Sequence, residues 1–198
     1  GKTVVEAKQI NLKMKDKYLW NQNLSFKIKT ADRIALQGSN GSGKTSLINI
    51  LIARRQPSLG EIHTSDFKYI YVDQDYSIIK SKETIYEIAQ SFNQSGLMEH
   101  EVKIRLNRFL FSKESWDKSG EVLSGGERMR LLLCCLNIQS QAPDMIILDE
   151  PTNNIDIQNI QILTTAIQSY HGCLIVVSHD QYFLNEIDIN KIIQLNEY

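Results

Sequence analysis

The strongest chemical signal in this sequence is a glycine-rich segment at residues 38–45, Gly-Ser-Asn-Gly-Ser-Gly-Lys-Thr. It follows a predicted strand and precedes a predicted helix, which is the context in which such a segment binds a phosphate. The glycines let successive backbone N–H groups curl around the anion, and the helix N-terminus adds roughly half a positive charge. We expect Lys44 to reach the β- and γ-phosphates of a nucleotide and the Thr45 hydroxyl to bind Mg²⁺. The other predicted contacts of this loop are Ser39, Asn40, Gly41, Ser42, Gly43 and Ser46, the last of which is an alternative hydroxyl.

Two adjacent carboxylates, Asp149 and Glu150, form the second signal, at the end of the aliphatic run 145–148. A parallel strand that is buried on both faces needs such a run. At the carboxyl end of that strand, Asp149 can hold Mg²⁺ directly or through a water, and Glu150 can accept a proton from an attacking water. Two acids at a strand end also occur in solvated loops, but the phosphate-binding segment upstream favours a nucleoside triphosphatase.

A third segment, residues 123–127, has the sequence Leu-Ser-Gly-Gly-Glu and opens another predicted helix. Ser124, the backbone of Gly125 and Gly126 and the helix N-terminus make a second phosphate cradle. The segment, including Glu127, resembles the signature loop of ATP-binding cassettes, the ABC superfamily. One cassette has no use for two γ-phosphate cradles. The resemblance implies that two cassettes dimerise head to tail, each closing over the other's ATP.

Three more positions match the cassette pattern. Gln74, after the predicted strand 69–72, resembles the glutamine that touches Mg²⁺ and water, and Asp156 ends a segment that resembles the D-loop of the dimer interface. His179 resembles the switch histidine that contacts the γ-phosphate. A lone histidine after a strand is usually a polar loop residue, but this ordered set favours a catalytic role. The resemblance implies the catalytic residues Glu150, His179 and Gln74 and the metal ligands Thr45, Gln74 and Asp149.

Adenine recognition departs from the cassette pattern. The family usually places an aromatic residue upstream of the phosphate-loop lysine to stack on adenine, and that position holds Met14 here. Tyr18 is the nearest aromatic residue. We therefore predict that either Met14 or Tyr18 contacts the base, with Tyr18 equally able to be an ordinary residue on a strand face.

These residues can be positioned by strands that alternate with helices. Short apolar runs predict strands near 33–36, 61–64, 69–72, 145–148, 173–177 and 191–195, and helices near 44–53, 125–136 and 157–169. Such alternation favours a parallel sheet. We predict an α/β fold, the parallel sheet core of a P-loop NTPase with an N-terminal antiparallel β subdomain. A small helical signature subdomain, at about 82–136, is predicted as an insertion in this single cassette.

Composition narrows the class of protein further. The chain has 198 residues, 42% of them hydrophobic, and a net charge of −1, which gives no global attraction to nucleic acid or to an anionic membrane. No apolar stretch approaches the ~18–20 residues that cross a bilayer. The three cysteines lie at non-repeating positions, which is typical of small core residues in a reducing compartment. We expect a cytoplasmic protein.

Two further runs resemble one branch of the superfamily, the ABC-F family. Residues 178–184, Ser-His-Asp-Gln-Tyr-Phe-Leu, match its S-H-D-x-x-F-L run, and residues 148–153 match its habit of an Asn after Pro-Thr. Glu127, where transporters usually have Gln, favours the same branch. Asn154 and Ile155 depart from it, because the family usually has His and Leu there.

The ABC-F resemblance implies a two-cassette protein without a membrane domain that acts on the ribosome and its tRNA, as a translation factor or in antibiotic resistance. The chain begins at Gly1, and we expect it to be a segment of such a protein. We favour the second cassette, because residues 74–123 leave little room for the arm that first cassettes often carry. The second cassette of the ATP-binding dimer would come from the same parent chain, or from a second copy if the segment acts alone.

Two alternatives stay open at this point. The ATPase subunit of an ABC membrane transporter would share every catalytic residue and would present an apolar groove near Gln74 for its membrane partner. A cassette that binds ATP only as a structural clamp is the other alternative. The presence of both Glu150 and His179 argues against that clamp.

Overall fold

The computed structural model describes residues 1–196. The strands are β1 (Thr3–Asn11), β2 (Lys13–Met14), β3 (Lys17–Tyr18), β4 (Leu24–Lys29), β5 (Arg33–Gln37), β6 (Leu59–Thr64), β7 (Tyr69–Val72), β8 (Met145–Asp149), β9 (Cys173–Val177) and β10 (Lys191–Gln194). The helices are α1 (Lys44–Leu51), α2 (Ile85–Ser91), α3 (Glu99–Arg108), α4 (Gly125–Ile138), α5 (Ile157–Gln168) and α6 (Gln181–Glu186). Short 3-10 turns occupy Lys113–Ser115 and Gly120–Val122.

A five-stranded sheet with the order β10-β5-β9-β8-β7 confirms the predicted α/β architecture. The pairs β10–β5, β5–β9 and β9–β8 are parallel. All five residues of β9 and the first four of β8 are buried, so these strands are covered on both faces. The aliphatic runs 145–148 and 173–177 were predictive because no alternation with polar residues interrupts them.

The N-terminal strands form an antiparallel sheet with the order β4-β1-β6, and β2 and β3 form a separate hairpin. Val5 pairs with Ile28 on one side and with Thr64 on the other. Val5, Ile28 and Trp20 are fully buried and belong to the same hydrophobic core as β5, α1 and β9. The predicted antiparallel β subdomain is therefore confirmed.

The chain divides into two compact units. The first contains Gly1–Tyr71, Pro143–Asp149 and the residues from His171 onward, and the second contains Val72–Ala142 and Glu150–Tyr170. The second unit is helical, with α2, α3 and α4 in mutual contact and α5 packed on α4. Within the helical range predicted at about 82–136, α3 ends at Arg108, and Leu110 beyond it has φ 66° and is 69% exposed.

The three cysteines are buried, as small core residues should be. Burial raises the pKa of Cys134 and of Cys173 to about 12. It also raises the pKa of Cys135 well above the ordinary thiol value. These thiols therefore stay protonated and unreactive at neutral pH. Within residues 1–196, no helix has both the length and the apolar character that a membrane span requires.

Candidate nucleotide-binding site

The glycine-rich loop connects the end of β5 to the start of α1. Gly43 is the N-cap of α1 and has φ 89°, in the left-handed region that favours glycine. A Cβ on Gly43 would lie 2.4 Å from the Leu19 Cδ2 atom, so the loop is both turned and closely packed at this point. Gly43 gives α1 no side-chain cap, and the first N–H groups of a helix have no partner within it, so they are available to an anion.

Lys44 folds back over the loop that precedes it. Its Nζ donates hydrogen bonds to the carbonyl oxygens of Gly38, at 2.8 Å, and Ser39, at 2.9 Å. The ammonium group thus lies at the mouth of the loop. A bound phosphate can replace the two carbonyl oxygens as its hydrogen-bond acceptor, because a charged acceptor binds it more strongly.

Ser42, in the same loop, is 1% exposed and carries two buried oxygen atoms that bear on ligand binding. The Ser42 carbonyl accepts a hydrogen bond of 2.9 Å from Trp20 Nε1, and Trp20 is itself fully buried. The Ser42 hydroxyl is buried and has no hydrogen-bond partner among the residues that the structure describes. An orphaned buried hydroxyl in a glycine-rich loop fits a site that is completed by a polar ligand.

A cavity of about 240 Å³ opens beside this loop. Three of the predicted site residues, Ser39, Lys44 and His179, line it together. The remaining lining residues are Leu36, Gln37, Gly38, Val177, Ser178, Gln181 and Gln194. The cavity lies at the carboxyl ends of β10, β5 and β9, which are neighbours in the sheet, where Gln194, Gln37 and Val177 end the three strands. A crevice at such strand ends is where open α/β sheets bind ligands.

Asp149 ends β8, the next strand of the sheet, and pairs with Val177 on β9. Its Oδ2 accepts a hydrogen bond of 3.0 Å from the Tyr71 hydroxyl. That bond orients the carboxylate from β7. No sequence pattern predicts it, because Tyr71 looks like an ordinary aromatic residue on a strand. Thr45 and Asp149 offer the hydroxyl and carboxylate oxygens that Mg²⁺ prefers, so the donor chemistry of this unit fits Mg-ATP.

The other predicted loop residues are accessible. Ser39, Asn40, Gly41 and Thr45 are exposed, and Ser46 is half-buried. Exposure of Thr45 agrees with its predicted role as a metal ligand, while Ser46 stays a second candidate.

Gln74, Ser124, Glu150 and Asp156 belong to the second unit. Gln74 is exposed and Glu150 is half-buried, with φ 51° in the left-handed region. Glu150 directly follows Asp149 in the chain. Its role as a base, and that of Gln74 as a metal contact, stay predictions.

Ser124 begins α4 with a capping box. Its hydroxyl accepts a hydrogen bond from the Glu127 N–H at 3.3 Å, and Glu127 Oε2 accepts one from the Ser124 N–H at 2.8 Å. Burial acts to raise the pKa of Glu127, but the hydrogen bonds from Ser124 and the charges of Arg130 and Lys118 bring it below its ordinary value. The signature loop therefore ends in a well-capped helix N-terminus with its serine exposed.

Residues 154–159, at the start of α5, pack on Gly125 and Gly126 within the second unit. A Cβ on Gly126 would lie 2.3 Å from the Asn159 Nδ2 atom, and one on Gly125 would lie 3.0 Å from the Asn154 carbonyl oxygen. Asn159 is buried and donates to both carboxylate oxygens of Asp156, through its backbone N–H at 2.8 Å and Nδ2 at 2.9 Å. Asp156 is thus the N-cap of α5. The sequence patterns did not predict this role of Asn159. The signal that could have done so is its position three residues after Asp156, the N-cap of α5.

The two candidate base contacts lie on opposite faces of the β2–β3 hairpin. Met14 pairs with Lys17 and Lys13 pairs with Tyr18, so Met14 and Tyr18 point to opposite sides. Both are exposed, at 48% and 39%. The Met14 sulfur also lies 3.6 Å from Arg55 Nη2. The face that carries Met14 therefore offers a thioether and a guanidinium group in place of an aromatic ring.

The parallel sheet, the glycine-rich loop that leads into α1 and the carboxylate at the end of β8 define a nucleoside-triphosphate-binding protein of the P-loop class. A sequence model of the family described as "ABC transporter" matches residues 21–153. The chain belongs to this family, as an ATP-binding cassette whose ligands are ATP and Mg²⁺ and whose activity is that of an ATPase domain.

The similar proteins include members of the ABC-F family and proteins named only as ATP-binding. The chain is 36% identical over 168 residues to the "Probable ATP-binding protein YbiT" of Escherichia coli O157:H7, covering 84% of this chain and 31% of that protein. It is 32% identical to "ABC transporter F family member 5" of Arabidopsis thaliana, covering 100% of this chain and 28% of that protein. The chain thus spans about a third or less of the length of these curated relatives.

Solved structures confirm the fold. A dimeric post-hydrolysis state of an ATP-binding cassette bound to ADP and Pi has a TM-score of 0.72 and 22% identity, over 97% of this chain and 94% of that one. An inward-facing putative metal-chelate type ABC transporter has a TM-score of 0.74 and 21% identity, over 98% of this chain and 80% of that one.

Proposed function

We propose that this cassette hydrolyses Mg-ATP as half of a head-to-tail pair and acts as a conformational switch in an ABC-F protein that works on the ribosome. The observation that carries the ATPase pair is the presence of two separate anion cradles in one chain. The first is the loop before α1, with Lys44 at its mouth, and the second is the capped N-terminus of α4 at Ser124. One cassette has no use for two cradles for a single γ-phosphate. Both cradles are used if each phosphate contacts the first cradle of one cassette and the second cradle of its partner.

In the proposed reaction, the loop N–H groups and Lys44 hold the phosphates, and Thr45 and Asp149 hold Mg²⁺, which supplies charge neutralisation when it is bound. Glu150 accepts the proton of the attacking water. His179 lines the same cavity as Lys44, so it is suited to contact the transferred phosphate. The adenine base is assigned to the hairpin face with Met14 and Arg55, where a guanidinium group can stack on a ring.

The ribosomal part of the proposal rests on sequence likeness. Besides the F-family relative of Arabidopsis, the chain is 34% identical over 190 residues to "ATP-binding protein Uup" of Haemophilus influenzae. The runs 148–153 and 178–184 carry the F-branch pattern. The proposal includes a cytoplasmic location, a parent chain with a second cassette, and a role either in translation or in resistance to ribosome-targeting antibiotics.

The test uses the full-length parent protein with Glu150→Gln and the same change in its other cassette. Blocked hydrolysis should accumulate the ATP-closed state, which would then be centrifuged through a sucrose cushion with purified ribosomes, with and without ATP. We expect ATP-dependent co-pelleting. The same variant with Lys44→Ala, which cannot close on ATP, is the control. Absence of co-pelleting, with closure on ATP demonstrated separately, would reject the ribosomal assignment.

A transporter subunit is the second candidate, because two of the similar solved structures are an ABC exporter and a metal-chelate type ABC transporter. That likeness, at 19% and 21% identity, concerns the fold alone. A variant that closes on ATP, ignores ribosomes and co-purifies with a membrane protein would favour this candidate.

A further inference from the structure

Glu150 lies in a strained position. It is a non-glycine residue with φ 51°, and it directly precedes Pro151, a place where residues normally adopt extended backbone. Backbone in such a region is strained and persists only where its surroundings hold it. Within the turn itself, the Asn153 N–H donates to the Glu150 carbonyl at 3.2 Å. Another contact is expected to hold the turn from outside.

Tyr76 supplies such a contact from the segment that follows Gln74. Its hydroxyl donates a hydrogen bond of 2.7 Å to the carbonyl oxygen of Pro151, and the side chain is 1% exposed. Burial raises the pKa of Tyr76 far above the ordinary phenol value, so its hydroxyl keeps the donated proton at any working pH. The residue is also fixed at its own backbone, where its N–H donates to the Asp73 carbonyl at 3.0 Å.

The Tyr76 hydrogen bond therefore joins two segments that each carry a predicted catalytic group. Gln74 lies two residues before Tyr76, and Glu150 lies one residue before Pro151. Tyr76, Pro151 and Glu150 all belong to the second unit. The segment after Gln74 has a further anchor in the same unit, because Arg128 Nη1 donates to the Asp75 carbonyl at 3.3 Å.

We propose that Tyr76 is a positioning residue for Glu150: its hydroxyl holds the Pro151 carbonyl, and with it the strained turn that aims the Glu150 carboxylate. The inference rests on the proposed role of Glu150 as the base. It adds a residue that no pattern in the sequence singles out, and it makes the Gln74 segment and the Glu150 turn move together. Tyr76 does not touch the substrate and changes only the orientation of the group that does.

The test is Tyr76→Phe, which removes one oxygen atom and keeps the buried ring. Loss of a buried hydrogen bond that orients a reacting group should lower kcat about tenfold. The KM for ATP should stay within about twofold, because phosphate-loop binding is unchanged. Tyr86→Phe is the matched control, since Tyr86 packs its ring under Lys103 in the helical unit and should keep its activity. Replacing Tyr76 with p-aminophenylalanine restores a donor and should recover most of kcat.

A double-mutant comparison separates positioning from simple destabilisation. In a Glu150→Gln background the hydroxyl has no base to position, so Tyr76→Phe should leave the residual turnover unchanged. Thermal unfolding of each variant fixes a temperature at which all are folded. The proposal is overturned if Tyr76→Phe lowers turnover equally in both backgrounds, if it raises KM instead, or if it has no effect.

Failure of the underlying function gives a different result. If the unmodified cassette does not hydrolyse ATP at protein concentrations that saturate its pairing, the proposed function is wrong, and if Glu150→Gln hydrolyses ATP at the same rate, the assignment of the base is wrong; in either case the Tyr76 proposal falls with it. A normal wild-type rate and an inactive Glu150→Gln variant, together with an unaffected Tyr76→Phe variant, would reject the role of Tyr76 alone.

Discussion

Individual side chains hold the phosphate loop in ways that its sequence motif does not express. The indole N–H of Trp20 reaches the Ser42 carbonyl, and Leu19 packs where a Cβ on Gly43 would lie. Both residues belong to the segment between β3 and β4, more than twenty residues before Lys44. The shape of the loop therefore depends on the antiparallel β subdomain as well as on its own glycines.

Trp20→Phe should weaken ATP binding and stability together. The change removes the donor to a buried carbonyl at a cost of about 1–3 kcal/mol, and it leaves the loop free to shift. We expect the Kd for ATP, measured by calorimetric titration, to rise severalfold. Trp116→Phe is the matched control, because Trp116 Nε1 donates to the Phe111 carbonyl at 2.9 Å within the helical unit. The control should lose stability and keep its ATP affinity. Equal affinities for both variants would contradict the assigned role of Trp20.

Sequence patterns predict the residues that contact a ligand. They are less able to predict the residues that hold those contacts in place. Lys44 and His179 were predicted and line one cavity, because their motifs describe fixed offsets from strand ends. Trp20 and Tyr71 were not predicted, since their hydrogen bonds join positions that folding alone brings together. Asn159 has a local partner in Asp156, but its hydrogen bond from Arg130 also joins distant positions. Tyr76 belongs to the same group: its partner Pro151 is 75 residues away in the chain.

The secondary-structure elements show a similar division. Buried parallel strands were predicted nearly to the residue, because continuous aliphatic runs mark β8 and β9. In the helical unit, the predicted range of about 82–136 gave no separate ends for the helices, and α3 stops before Leu110, which has a positive φ and is exposed. No local sequence pattern predicts the contact of α4 with α5. This contact also favours glycine at positions 125 and 126, because a Cβ there would lie too close to Asn154 and Asn159.

Gly126→Ala should therefore destabilise a single cassette in the absence of nucleotide. The new Cβ would lie 2.3 Å from the Asn159 Nδ2 atom, and Asn159 is held by hydrogen bonds to Asp156 and from Arg130 Nη1. Overpacking of this kind costs about 1–3 kcal/mol, so we expect urea unfolding of the nucleotide-free chain to show a loss of that size. Combining it with Asn159→Ala should relieve part of the strain, so the two losses should be less than additive. Strict additivity, or a stable Gly126→Ala chain, would show that the contact is unimportant.

At the scale of the whole molecule, the two anion cradles predict which cassette of the dimer supplies each residue of an active site. Each proposed active site combines Lys44 and Glu150 of one cassette with Ser124 of the other. Ser124→Arg should remove the second cradle, and Glu150→Gln should remove the base, so that each variant alone is inactive. Isolated wild-type cassettes should also hydrolyse ATP faster per molecule as their concentration rises, because the site forms only on association.

Mixing the two inactive variants should restore activity. Half of randomly paired dimers are mixed, and in each of these one site has both an intact Glu150 and an intact Ser124. If that site turns over alone, the mixture should reach about a quarter of the wild-type rate, measured as phosphate release at protein concentrations that saturate association. A mixture of Lys44→Ala and Glu150→Gln chains is the control and should stay inactive, because both changes affect the same half of each site. A site built within one cassette would instead leave both mixtures inactive, since every chain then carries a lesion in its own site.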